Sequence, residues 1–124
     1  MTLIKVLIKE NIMKKIEAVI RSAKTKDVYS ALNNVGCPGF MLSEIEGQGK
    51  QKGVVQEFRG KQYKTAFLTK TKIEIVAKDE DVEKFINVIR DAALTGKEGD
   101  GKIFVYTIDD TVQIRTGDRG SAIL

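Results

Sequence analysis

Apolar and polar side chains alternate in four stretches of the chain, as they do in a β-strand with one buried face. In the first stretch Ile16, Ala18 and Ile20 occupy every second position. The alternation predicts strands over residues 14–21, 40–46, 66–77 and 103–108, with a further short strand over residues 112–115.

Two other stretches carry apolar residues at helical spacing. The first predicts a helix over residues 24–35, with Gly36 just past its end. The second predicts a helix that begins at Asp79 or Asp81 and is closed by Gly96. The apolar stripe of this second helix consists of Val82, Phe85, Ile86, Ile89 and Ala93.

The order of these elements predicts an α+β protein with a ferredoxin-like fold. Strand, helix and strand occur twice, which is the double β-α-β order of an antiparallel sheet with both helices on one face. Residues 47–60, between strands 2 and 3, are polar and glycine-rich and predict a long exposed loop, the first place to look for function. Ile, Val and Ala on the second sheet face would be left in water in a monomer, so we also expect a symmetric oligomer.

The composition is that of one globular domain. The chain has 124 residues, 42% hydrophobic and 31% charged, and no apolar run near the roughly 18 residues of a membrane span. Residues 1–12 lack the pattern of a secretion signal. With the single cysteine Cys37 and no histidine, the chain offers neither an internal disulfide nor the commonest catalytic base. We expect a cytoplasmic protein that is not an enzyme.

The formal net charge of +4 raises the question of a nucleic-acid partner. The acidic residues are spread among the basic ones, and only three Tyr and five Phe are available to stack on bases. The pattern favours solvated faces of mixed charge, with a few cations for a small anion, over direct nucleic-acid binding.

Residues 96–102 match the phosphate-binding pattern G-x-x-x-x-G-K but lack two features of a P-loop. Ile103 replaces the Ser or Thr that binds magnesium, and a strand follows instead of a helix. What remains is a connection whose glycines allow several backbone N–H groups to face a phosphate, with Lys102 as a nearby charge. An ordinary glycine-rich helix end explains the same residues equally well.

The long loop carries a second group of cations among glycines. A small dianion could bind this group, but the residues alone favour a solvated basic loop, since charge runs are usually solvated. The group consists of Gly49, Lys50, Gln51, Lys52 and Gly53, with Lys70 in the strand that follows.

Three segments resemble the PII family of nitrogen-regulatory signal-transduction proteins. Residues 95–105, TGKEGDGKIFV, resemble the family's nucleotide-binding signature at every defining position. Residues 58–63, FRGKQY, resemble its loop signature less closely, and residues 13–18, MKKIEA, resemble a usual family N-terminus. The resemblance implies a PII-type ferredoxin-like domain over residues 13–124, preceded by an N-terminal extension over residues 1–12.

By this resemblance the chain forms a homotrimer that binds ATP or ADP in the clefts between neighbours. The implied nucleotide-binding residues are Met41, Gly49, Lys50, Glu74, Val76, Gly99, Asp100, Gly101, Lys102, Gln113 and Arg115. The family also binds 2-oxoglutarate through Mg²⁺ beside the nucleotide, and Gln51 matches the residue that contacts both. The implied 2-oxoglutarate-binding residues are Gly49, Gln51, Lys52, Gly53 and Lys70.

The resemblance further implies a switch, because ligand binding would reorder the long loop and change which partner it fits. The implied partners are an ammonium transporter, glutamine synthetase or a nitrogen-gene regulator, with membrane contact only through the transporter. Tyr63 matches a tyrosine that is uridylylated or adenylylated in some members, although its neighbours Lys61 and Gln62 differ from the usual ones.

Two positions depart from the family pattern. Gln113 stands where an arginine usually contacts the phosphates, and Met41 replaces a threonine near the adenine. These departures imply a weaker or altered nucleotide preference. They keep open an alternative, a divergent PII-like regulator that senses another nucleotide or small anion and does not respond to 2-oxoglutarate.

Overall fold

The computed structural model describes the backbone of residues 12–50, 56–58, 61–63 and 65–124, and the side chains of residues 12–47 and 68–124. Single 3₁₀ turns occur at Ser22–Lys24 and Ser121–Ile123. The strands and helices are β1 Met13–Arg21, α1 Thr25–Asn34, β2 Met41–Lys50, β3 Gln56–Phe58, β4 Lys61–Tyr63, β5 Thr65–Lys78, α2 Asp79–Ala93 and β6 Gly101–Ile108.

Four of the strands form one antiparallel sheet in the order β2-β5-β1-β6. The register places Ala18 in the centre of the sheet, opposite Ile73 of β5 and Ile103 of β6. β3 and β4 pair separately as a short antiparallel hairpin within the connection between β2 and β5. The order confirms the ferredoxin-like arrangement that the sequence predicts.

Both helices pack on one face of this sheet because their apolar stripes match its apolar face. Ile16, Ala18 and Ile20 of β1 are at most 2% exposed. They form one core with Ile73 and Ile75 of β5 and with the buried residues of both helices. Those helical residues are Val28 and Leu32 in α1, and Val82, Phe85, Ile89 and Ala93 in α2.

The opposite face of the sheet is more polar than the sequence predicts. Its centre carries ion pairs from Lys15 to Glu74 (2.8 Å) and from Lys72 to Glu74 (3.3 Å), with only Val19 and Val76 as apolar neighbours of these charges in β1 and β5. Apolar groups occupy the flanks, where Phe104 and Met41 are exposed. The alternation of β1 and β5 explains this, since every residue between two buried ones points to this second face.

Two predicted strand boundaries and one predicted strand are wrong. β2 continues past residue 46 to Lys50, because its backbone stays paired with β5 through the register Gly47↔Leu68 to Lys50↔Thr65. The predicted loop is therefore a connection over residues 51–64. β6 begins at Gly101, two residues earlier than predicted. In residues 112–115 only Val112 makes a strand-like bridge, to Arg119, and the chain turns between them.

Within the described ranges, no helix is long and apolar enough to cross a membrane.

Candidate ligand-binding site

The connection from α2 to β6 needs glycine at several positions. Gly96, Gly99 and Gly101 have φ angles of 85°, 95° and 103°, a region that other residues adopt only with strain. At Gly101 there is also no room, because a Cβ would lie 1.7 Å from the carbonyl oxygen of Val19. These glycines allow the chain to fold back tightly after the helix and enter β6.

The Asp100 carboxylate holds this connection in shape from inside. Its Oδ2 accepts hydrogen bonds from the backbone N–H groups of Thr95 and Gly96, each at 2.9 Å, and its Oδ1 accepts one from the Thr95 hydroxyl. Together with Arg21, these donors hold the pKa of Asp100 well below its usual range. Asp100 therefore stabilises the conformation of the connection, and both of its carboxylate oxygens already accept hydrogen bonds from the protein.

Two cations reach the same connection from neighbouring strands. Arg21, at the end of β1, donates from Nε to Asp100 Oδ1 at 3.0 Å and from Nη2 to the carbonyl oxygen of Glu98. Lys70, in β5, donates from Nζ to the carbonyl oxygen of Gly99 at 2.7 Å. Partial burial, with the positive charge of Arg21 close by, lowers the pKa of Lys70.

The connection still offers unused donors. The N–H groups of Glu98 and Gly99 donate no hydrogen bond to any other described residue. Those of Thr95, Gly96 and Lys97 are satisfied within the connection. Successive free N–H groups around a glycine with positive φ form a concavity that binds anions. The unused donors, which could face an anion, therefore lie in the second half of the connection, next to Lys102 at the start of β6.

A second concavity lies farther along the same face of the sheet. Glu74 and Val76 line a cleft of ≈ 470 Å³ together with Met41 of β2. Since Lys70 and Glu74 are four residues apart on β5, the cleft lies about 13 Å from the anion-binding connection. The remaining lining residues are Pro38, Gly39, Phe40, Ile123 and Leu124. The cleft has the apolar walls and the few polar groups typical of a small-molecule site.

Gln113 and Arg115 lie on a tight turn near the C-terminus. The turn is closed by hydrogen bonds from the Gln113 N–H to the Asp118 carbonyl (2.8 Å) and from the Gly117 N–H to the Gln113 carbonyl (2.7 Å). Arg115 is exposed and makes no ion pair with another described residue. Ile114 at its tip is 99% exposed.

This turn and the anion-binding connection of the same chain lie at opposite ends of the sheet. Thr111, at its base, contacts Met13 at the start of β1, whereas Arg21 holds the connection at the other end of that strand. Eight residues of strand separate the two ends, which is about 26 Å. The structure therefore does not bring Gln113 or Arg115 together with Gly99, Asp100, Gly101 and Lys102 at that end of one chain.

The predicted residues of the long connection are described only in part. Gly49 and Lys50 belong to the backbone of β2, and Tyr63 to that of β4. Gln51, Lys52 and Gly53 lie outside the described residues.

Four residues at the anion-binding connection and the cleft were not among the predicted site residues: Arg21, Thr95, Ile123 and Leu124. The sequence did contain a signal for Arg21 and Thr95. Asp100 lies inside a segment predicted to bind an anion, and its negative charge there requires hydrogen-bond donors from the protein. No local pattern marks the C-terminal residues, which enter the cleft only through the tertiary fold.

Comparison with known proteins identifies the class. The family model described as "Nitrogen regulatory protein P-II" matches residues 13–118. A protein of that name from Rhodospirillum rubrum is 49% identical over 108 residues, which is 87% of this chain and 96% of the relative. "Nitrogen regulatory protein P-II 2" from Methanothermobacter thermautotrophicus is 46% identical over 108 residues, 87% of this chain and 94% of the relative.

Solved structures agree with this class. The Bacillus subtilis GlnK-ATP complex has a TM-score of 0.74 at 32% identity, covering 92% of this chain and 99% of that one. Arabidopsis thaliana PII bound to citrate has a TM-score of 0.73 at 38% identity, covering 90% and 92%. The fold and the comparisons define a PII-type regulatory protein. This chain belongs to the nitrogen regulatory protein P-II family, and because the family consists of regulators, the prediction that it is not an enzyme is confirmed.

Proposed function

We propose that this P-II family member senses ATP or ADP together with 2-oxoglutarate and passes the result to partner proteins through the connection between β2 and β5. The single observation that carries the proposal is the anion-binding geometry of residues 98–102. Free backbone N–H groups, a positive φ at Gly99 and the adjacent Lys102 suit the oxygens of a polyphosphate. The solved GlnK relative is an ATP complex, which supports the same ligand here.

The cleft beside Glu74 and Val76 would hold the nucleotide base, with Met41 at its mouth. Its apolar lining suits a flat heterocycle, and its position on the same sheet face leaves room for a sugar and phosphates between the two parts. Glu74 is held by Lys15 and Lys72, which fix its carboxylate at the wall of the cleft.

The site is best completed by neighbouring copies in a homotrimer. Gln113 and Arg115 lie far from the phosphate-binding connection of their own chain. Because both are exposed, a neighbouring chain in the trimer could place its own connection against them. The apolar flanks of the second sheet face, at Phe104 and Tyr106, would be covered in the same assembly.

2-Oxoglutarate would bind next to the phosphates through Mg²⁺. The described residues hold no group of three acidic, cysteine or histidine side chains for a metal. This fits a magnesium ion that takes most of its ligands from phosphate and oxoacid oxygens, with the Gln51 amide oxygen as a protein ligand. Lys70 has three N–H donors, so its bond to Gly99 leaves two for a ligand carboxylate. Gly49, Lys52 and Gly53 would supply backbone N–H groups.

The readout would be the conformation of residues 51–64, which hold Tyr63 as a candidate modification site. The partners would be an ammonium transporter, glutamine synthetase or a nitrogen-gene regulator, in the cytoplasm. The family match begins at Met13, which supports a separate N-terminal extension over residues 1–12.

A second candidate is a divergent regulator that binds another nucleotide or small anion without a 2-oxoglutarate response. One observation favours this candidate. Met41 at the mouth of the base cleft is 62% exposed, so its side chain can contact a base other than adenine.

Calorimetric titration tests the two candidates against each other. The purified protein is titrated with ATP and with ADP, each with and without Mg²⁺ and 2-oxoglutarate. 2-Oxoglutarate binding that requires both Mg²⁺ and ATP is the expected result. Nucleotide binding without any oxoacid response would favour the divergent regulator, and no binding of any nucleotide would overturn the assignment of the site.

A further inference from the structure

Arg21 and Lys70 contact the carbonyl oxygens of two consecutive residues. The Arg21 guanidinium binds the Glu98 oxygen and the Lys70 ammonium binds the Gly99 oxygen. Both side chains come from strands of the sheet, whereas the carbonyls belong to the connection that follows α2. The two cations are called the cation clamp below.

The clamp determines where the next two N–H groups point. A trans peptide is planar, so its N–H points opposite to its C=O, and the described chain contains no cis peptide bond. With the Glu98 carbonyl turned toward Arg21, the Gly99 N–H faces away from Arg21. With the Gly99 carbonyl turned toward Lys70, the Asp100 N–H faces away from Lys70. The clamp thus fixes the directions of the Gly99 N–H, which is one of the unused donors, and of the next N–H along the chain, that of Asp100.

Without the clamp, the peptide groups on either side of Gly99 could adopt more than one orientation. Glycine populates several backbone conformations, so the peptides on either side of Gly99 can rotate unless their carbonyls are held. The second contact of Arg21, to Asp100 Oδ1, joins the clamp to the hydrogen bonds that Asp100 makes with Thr95 and Gly96. Neither cation is free in solvent, since the Arg21 side chain is 23% exposed and Lys70 is partly buried.

We infer that Arg21 and Lys70 are positioning residues for the anion site. They hold the two peptide groups on either side of Gly99, and with them its unused N–H donor, in place before the ligand arrives, and they do not themselves contact the nucleotide phosphates. This inference rests on the proposed function, because it assigns a role within the nucleotide site. It predicts an effect on the protein without ligand, which a direct phosphate contact does not.

The test compares three variants with one control. Arg21→Gln removes the charge and the paired contact, Arg21→Lys keeps the charge but lacks the planar group that reaches both oxygens, and Lys70→Met removes the second contact. Lys24→Gln is the matched control, because Lys24 lies just past β1 and pairs only with exposed Asp27 among the described residues. Amide hydrogen exchange of residues 95–101 is measured without ligand, and affinities for ATP and adenosine by calorimetry.

We expect Arg21→Gln and Lys70→Met to speed exchange in residues 95–101 and to weaken ATP binding by about tenfold, with adenosine binding unchanged. Arg21→Lys should fall between Arg21→Gln and the unmodified protein, and Lys24→Gln should match the unmodified protein. Weaker ATP binding with unchanged exchange in the free protein would overturn the inference, since it would make the cations direct ligands.

Failure of the proposed function gives a different result. If the unmodified protein binds no ATP, the nucleotide assignment is wrong. The exchange rates of the ligand-free variants still show whether the clamp orders the connection, and unchanged rates would overturn the clamp as well.

Discussion

Asp100 shows how a single carboxylate can order a candidate ligand site through contacts within the protein. A carboxylate repels a nearby phosphate unless hydrogen bonds and a positive charge compensate its own charge. At Asp100 the N–H groups of Thr95 and Gly96 and the guanidinium of Arg21 provide this compensation. The glycines around it supply the backbone shape that these hydrogen bonds require. At the residue scale the site is therefore organised first by contacts within the protein.

The pH dependence of the connection follows from this arrangement. The pKa of Asp100 in the folded protein lies below its ordinary value of 3.8, so its contribution to order is fully present above that pH and is lost as the pH falls below it. We expect the NMR shifts of the Thr95 and Gly96 amides to stay constant down to about pH 4 and to change only below it. A midpoint at the ordinary aspartate value would show that the hydrogen bonds do not form.

Gly101→Ala is expected to lower the free energy of unfolding by at least about 2 kcal/mol, because it combines a positive φ with a backbone clash. The clash is with the Val19 carbonyl oxygen. The measurement is urea denaturation. Gly47→Ala is the matched control, since its Cβ meets nothing within 4 Å and its φ is not positive. Equal stability of the two variants would contradict the described start of β6.

Gln113→Arg tests the departure from the family pattern. Under the proposed trimer it adds a charge-assisted hydrogen bond to a neighbour's nucleotide, so ATP affinity should rise by about tenfold. Asn33→Arg adds the same charge on the exposed face of α1 and controls for net charge. If calorimetry shows the same ATP affinity for both variants, Gln113 does not lie at the phosphates.

At the scale of the elements, the helices and the sheet depend on matched apolar faces. The sequence predicts this part well because alternation and helical spacing are local: Ile16, Ala18 and Ile20 are buried as expected. It predicts strand ends poorly, because Gly47 has no side chain to signal its pairing with Leu68 in β5. The polar character of the second face was also missed, although Lys72 and Glu74 are visible in the sequence.

Leu32→Ala tests the packing of α1 on the sheet. Leu32 is 0% exposed, so the cavity should lower the free energy of unfolding by about 2–5 kcal/mol. Asn33→Ala, on the exposed side of the same helix, should change it by less than about 0.5 kcal/mol. Thermal or urea denaturation measures both. A Leu32 variant as stable as the Asn33 variant would contradict the docking of α1.

At the scale of the whole molecule, one chain holds two parts of the proposed site, the anion-binding connection and the base cleft. Arg115 lies on a turn that starts at the far end of the sheet from the connection. Sequence motifs predicted the connection, because its residues are contiguous. The base cleft draws on residues 38–41, on β5 and on the C-terminal residues, so no sequence window contains it. The incomplete site in one chain is the physical reason to expect that function requires neighbouring copies.

Native mass spectrometry with and without ATP tests this claim most directly, because one spectrum reports both the assembly and its ligands. The account predicts a species of three times the 13.8 kDa chain that binds up to three nucleotides, with Arg115→Ala reducing occupancy while the trimer persists. If the unmodified protein is a monomer that still binds ATP, or a trimer that binds no nucleotide, the account is contradicted.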